Sequence, residues 1–181
     1  MIIKIDLFLH NNNFIINMTN FEKVINFNYQ FGISQIKSPN ELSPKRDIFD
    51  KDPKQVEFCL KLIREEMKEL EEAVKAKDYV ETVDALSDIL YVVYGMANRI
   101  GVDIDKAFDL VHTNNLSKLC RTEEEARQTV KYYIDNKNTT GYDSPDYRQA
   151  PDNKHWVVYN KSTNKVLKSI MWKSVDLSSV C

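Results

Sequence analysis

Acidic residues stand at helical spacing in two neighbouring stretches of this 181-residue chain, in a pattern suited to holding a hard cation. In LIREEMKELEEAV, Leu62, Glu66, Glu69 and Ala73 fall four, three and four residues apart and share one helix face. In VETVDALSDILY, Val80, Asp84, Asp88 and Tyr91 line a second such face. A break near Ala76, Lys77 and Asp78 folds the two stretches into an antiparallel hairpin. That register sets Glu69 level with Asp84 and Ala85, and Glu66 level with Asp88. Four carboxylates then converge on one spot. Like charges at close range repel, and burial raises the cost, so such a cluster calls for a divalent cation. Oxygen-only ligands select Mg²⁺ ahead of Mn²⁺ and leave positions for water and phosphate.

The plainer reading of a Glu-rich helix is a solvated face. Lys68, Glu71 and Glu72 fit that reading. Glu66 and Glu69 fit it less well, because Ile63 and Leu70 adjoin them. Asp84 and Asp88 fit it least, since they interrupt an otherwise apolar helix. A second signal is VHTNNLSKL, where Asn115 and Lys118 are three apart and share a face. An amide and an ammonium turned toward the metal site could hold a phosphate or a base. As a helix-ending Asn and a surface Lys they would hold neither. His112 reads as a partly buried helix residue, and Tyr132 with Tyr133 as packing.

The elements that must position these residues follow from pattern. Thr19 or Asn20 caps a helix through FEKVINFNYQF, with Phe21, Val24, Ile25, Asn28 and Phe31 near one face and Gly32 ending it. Residues 33 to 53 read as a Pro-containing loop. Asp52 and Pro53 open the next helix, over about 54 to 76, with Phe58, Leu62, Ile63, Met67, Leu70 and Val74 as its stripe. The following helix, about 78 to 99, is apolar around much of its girth, as a central bundle helix would be. Gly101 breaks it. A fourth helix starts at Asp103 or Ile104, with Ile104, Phe108, Val111 and Leu116 inward. Thr122 and Glu125 cap a short helix. Residues 136 to 154 read as a loop, and HWVVYNKSTNKVLKSIMW as two strands around a turn at Lys161 to Lys165.

Composition narrows the function. A hydrophobic fraction of 43% supports a core, and a net charge of −2 gives no general attraction for nucleic acid or anionic membrane. Three cysteines, Cys59, Cys120 and Cys181, lack zinc-ligand spacing and read as free thiols of a reducing, cytoplasmic protein. Three histidines and four glycines leave no histidine-rich metal site, no GxGxxG and no Walker A loop. MIIKIDLFLHNNNFIIN is a poor signal peptide and too short for a membrane span.

Together these stretches resemble the all-α nucleoside triphosphate pyrophosphohydrolases, the MazG and phosphoribosyl-ATP pyrophosphohydrolase group. EExxE at Glu65, Glu66 and Glu69 resembles the first acidic motif, and DALSDILYVVYG the second. GVDIDKAFDLVHTNNLSKL and the closing KVLKSIMWKSVDL are similar to the phosphoribosyl-ATP pyrophosphohydrolase-like branch. The second motif of the family is ExxD. Taking Asp88 as its Asp puts Ala85 at the Glu position, so either Asp84 substitutes or the motif is Glu81 with Asp84. Residues 121–164 look like an insertion relative to shorter members. The resemblance implies an all-α, antiparallel helical bundle with a short C-terminal β-hairpin. It implies an N-terminal extension over 1–18, a catalytic domain over 19–120 and an arm over 121–181. It also implies NTP + H₂O → NMP + pyrophosphate, with Mg²⁺ on Glu66, Glu69, Asp84 and Asp88. Glu65 would act on the water, Asn115 and Lys118 on the nucleotide, and the chain would form a homodimer or higher homo-oligomer. The alternatives are phosphoribosyl-ATP hydrolysis in histidine synthesis and a non-catalytic helical interaction module.

Overall fold

The computed structural model describes residues 18–181; what the sequence suggests for residues 1–17 lies outside them. Among the described residues the fold is mainly helical, with one small antiparallel sheet near the C-terminus. They divide into two compact units. One takes in the residues up to Lys106 with Ser178–Cys181, the other Ala107–Leu177.

In the first unit, α1 (Asn20–Gln30) begins with a full capping box: the Thr19 hydroxyl accepts from Glu22 N–H, and the Glu22 carboxylate accepts from Thr19 N–H. Phe21, Val24, Ile25 and Asn28 are its buried face, and Phe31 is exposed rather than inward. The stretch read as a loop holds a 3₁₀ turn at Pro39–Glu41 and α2 (Ile48–Lys51). Both are too short for the 3.6-residue repeat to show in sequence. Helix α3 (Pro53–Ala76) starts where Asp52 accepts from Gln55 N–H, 3.1 Å away. Lys77, in left-handed conformation, ends α3, and Asp78 caps α4 (Tyr79–Ile100) through the N–H groups of Val80 and Glu81. The hairpin turn therefore lies where the sequence places it. Its buried seam runs along Cys59 and Ala73 on α3 and Ala85 on α4. Phe21, Ile25 and Ala97 form the core between α1 and α4, with the rings of Phe21 and Tyr94 stacked at 5.7 Å.

Helix α4 is not covered all round. Val80, Val83, Leu86, Leu90 and Val93 are exposed, and so are Phe58, Met67 and Val74 of α3. The apolar pattern marks surface to be buried, and one copy of the unit leaves much of it uncovered.

Helix α5 (Ile104–Leu116) runs from the first unit into the second. Of its expected inward residues, Ile104 and Val111 are half-buried, with Ile104 packed on the Phe21, Ile25 and Ala97 core, whereas Phe108 and Leu116 are exposed and Ala107 is buried instead. His112 is also exposed. In the second unit, α6 (Glu123–Asp135) is capped by Thr122 and followed by the turn α7 (Lys137–Thr140). The sheet has three strands, β1 (Pro145–Gln149), β2 (Trp156–Asn160) and β3 (Lys165–Val166), in the order β1-β2-β3. Strand β1 falls inside the stretch expected to be loop, because PDYRQ opens with Pro and alternates too briefly to read as a strand. Cys120, Ala126, Tyr133, Val158 and Leu167 form this unit's core. Tyr133 packs as expected, its hydroxyl donating to Lys168 O, whereas Tyr132 is half exposed.

Candidate active site

The acidic residues sit on one side of the α3–α4 hairpin. Taking the buried seam as reference, Glu65 and Glu69 lie to one side of α3, and Asp84 and Asp88 lie to the same side of α4. Glu66 is at the seam and half buried; the other four are exposed. The Glu66 carboxyl is held above the usual carboxylate range. Burial is the main cause, followed by the charges of Glu69, Asp88, Glu65 and Asp84. One carboxyl thus feels both acids of the partner helix, which requires the two helices to face each other at this level. Glu65 lies 3.4 Å from Lys61 Nζ, an exposed contact that leaves it free to turn. Glu81 lies in the first turn of α4, where its N–H is capped by Asp78. It is not among the charges acting on Glu66.

Among the described residues, no three His, Cys, Asp or Glu side chains are drawn together tightly enough to enclose an ion as they stand. The donor set nonetheless suits a hard divalent cation: five carboxylates, no sulfur, no imidazole, and a half-buried member whose neighbours all repel its charge.

Asn115 and Lys118 belong to the second unit. They are joined to each other, with Lys118 Nζ donating to Asn115 Oδ1 at 2.7 Å. Asn114 beside them donates to Lys173 O at 2.7 Å, so this amide serves the fold of its own unit.

Sequence reasoning placed Asn28 on the packed face of α1 but gave no role to Asn98. Both are buried, and Asn28 Nδ2 donates to Asn98 Oδ1. The available signal was an amide within the apolar run YGMANRI, which a strictly apolar core would not contain.

The phosphoribosyl-ATP pyrophosphohydrolase family model matches residues 34–115, a stretch that holds all five acids, Asn98 and Asn115. An uncharacterized protein of Acanthamoeba polyphaga mimivirus is 28% identical, with the match covering 90% of this chain and 95% of the relative. Residues 34–115 are thus similar to the phosphoribosyl-ATP pyrophosphohydrolase family, of the MazG-like NTP pyrophosphohydrolase superfamily.

Proposed function

We propose that this chain hydrolyses nucleoside or deoxynucleoside triphosphates to the monophosphate and pyrophosphate, with Mg²⁺, in nucleotide pool cleansing or supply. One observation supports the reading: Glu65, Glu66, Glu69, Asp84 and Asp88 share one side of the facing helices α3 and α4, within the stretch that the pyrophosphohydrolase family model matches. Without a role, such a cluster is a cost the fold has no reason to carry.

Glu66, Glu69, Asp84 and Asp88 would hold the metal, with Mn²⁺ as a substitute. When bound, Mg²⁺ neutralises triphosphate charge and lowers the pKa of water. The chain's own groups do the rest. Alone, the acids repel one another and would repel a triphosphate; a bound cation would offset both, which couples binding of cation and substrate. Glu65 is exposed and loosely held, and is the group proposed to orient the attacking water and take its proton. Asn115 and Lys118 are proposed to bind the nucleotide. The uncovered apolar side of the hairpin supports assembly as a homodimer or higher homo-oligomer.

Incubating the protein with a panel of NTPs and dNTPs plus Mg²⁺, and measuring monophosphate and pyrophosphate, tests the reading. Pyrophosphate release is expected from at least one nucleotide and none with chelator. No release from any nucleotide would sink it. The family match itself favours a second reading, phosphoribosyl-ATP as substrate, and turnover of that compound alone would select it.

A further inference from the structure

A cavity of about 660 Å³ opens at the α2 end of the first unit, within the size range of small-molecule sites. It lies between the segment 33–55 and the last turn of α4. Its polar lining carries little uncommitted acid. Asp47 is paired with Lys51 at 2.5 Å, and Asp52 caps α3. The rest of the lining is apolar wall from Ile33, Ile36 and Ile48, neutral amides at Gln55 and Asn98, and the cations Lys45 and Arg99, the latter lying over the Phe58 ring. The apolar wall suits the face of a flat ring, and the amides and cations suit its polar edge.

Asn98 is the decisive residue. It is 1% exposed, and its Oδ1 accepts from Asn28. Its Nδ2 has no hydrogen-bond partner. A buried donor left without a partner is costly, and Asn98 is one of the residues lining the cavity, so a group seated there would supply the missing bond.

The cavity is also in line with the acids. Asp84, Asp88, Tyr91, Gly95 and Asn98 are spaced four, three, four and three apart, which makes them one stripe along α4. Ten residues separate Asp88 from Asn98, or about 15 Å of helix axis. One turn before Asn98, Gly95 leaves open space where a side chain would project. A triphosphate gripped at Asp84 and Asp88 can therefore lay its sugar past Gly95 and bring its base to Asn98.

We infer that this cavity seats the base of the substrate nucleotide, and that the Asn98 amide donates to a ring nitrogen or carbonyl oxygen on the base edge. Asn98 is then a specificity-determining residue. The identity of the ligand rests on the pyrophosphohydrolase reading; the cavity's capacity for a base does not.

The test is calorimetric binding of the four ribonucleoside monophosphates, and of pyrophosphate, to the wild-type chain and Asn98→Ala with Mg²⁺ present. Circular dichroism checks the fold. The wild-type chain should bind one base class best. Asn98→Ala should lose about tenfold for that class, flatten the preference and leave pyrophosphate binding unchanged. If Asn98→Ala does not fold, Gln55→Trp fills the cavity from its rim and should produce the same base-dependent loss. Binding that is indifferent to the base, or unchanged in the folded variant, overturns the inference. Base-dependent binding without hydrolysis of any triphosphate would keep the cavity assignment and fail the catalytic one.

Discussion

The Asn28 side-chain amide donates to Asn98 Oδ1 across 3.1 Å, joining α1 to α4 inside the first unit, with both residues buried. The pair is asymmetric, because Asn98 Nδ2 is left without a partner. Asn28→Leu would orphan the second polar atom of Asn98 as well and should cost about 1–3 kcal/mol. Replacing both partners removes every unsatisfied group, so Asn28→Leu with Asn98→Leu should be more stable than Asn28→Leu alone. Urea unfolding of the two singles and the double measures the coupling. Additive losses would show that the amides do not interact.

Asp88→Asn keeps size and shape but removes one charge from the acidic side of the hairpin. Turnover should fall on the order of a thousandfold, since metal-assisted charge stabilisation contributes several kcal/mol. The helical circular dichroism spectrum should not change. Without metal the variant should melt no lower than the wild-type chain, because Asp88 repels Glu66. A variant with wild-type turnover would remove Asp88 from the ligand set.

Helix positions were legible because caps and periodicity act locally. Thr19, Asp52, Asp78 and Thr122 each accept from a backbone N–H at a helix start, and three of them are read directly from sequence. The facing of the two acidic stretches was legible for the same reason, since a turn at Lys77 fixes the register of both helices. Burial was not. Phe108, Leu116 and Leu90 look like core by hydropathy, yet their exposure depends on what packs against each helix, which no local pattern records. Strand β1 was missed because its partner, β2, lies seven residues beyond its end, and pairing decides its state. Asn98 was missed because an amide in an apolar run is ambiguous until its neighbours are known.

Gly101 ends α4 with φ +78°, and a Cβ there would collide with the Ser43 carbonyl. The backbone of the segment facing α4 is thus packed directly on this glycine. Gly101→Ala incurs both the left-handed strain and the clash and should destabilise by about 2 kcal/mol or more. Thermal melting checks this. Gly141 has a similar φ of +74° with open space around it, so Gly141→Ala should cost less.

Asp143 accepts hydrogen bonds from Ser162 Oγ, Asn160 Nδ2 and Ser144 Oγ at 2.6, 2.9 and 3.0 Å. These donors hold its carboxyl well below the usual carboxylate range. A depressed folded value means the stabilisation is complete above the unfolded value, near pH 4, and is lost as pH falls through the folded one. Melting temperature should therefore decline below about pH 4, with Asp143→Asn showing a shallower decline over that range. Equal slopes in the two proteins would show that the network's stabilisation does not depend on the charge.

The apolar side of the hairpin gives the last prediction. Leu86 and Leu90 are 48% and 54% exposed on α4, and Met67 and Val74 are exposed on α3. By helical spacing they lie opposite the acids, so one copy has a charged side and an apolar side. A second copy of the hairpin seated on the apolar side would leave the acids open to substrate. Leu86→Glu with Leu90→Glu should convert the assembly to monomer in sedimentation equilibrium and lower its melting temperature. Acid-site variants such as Asp88→Asn should leave the mass unchanged. A wild-type chain that sediments as a monomer at every concentration would show that this side meets something other than its own copy.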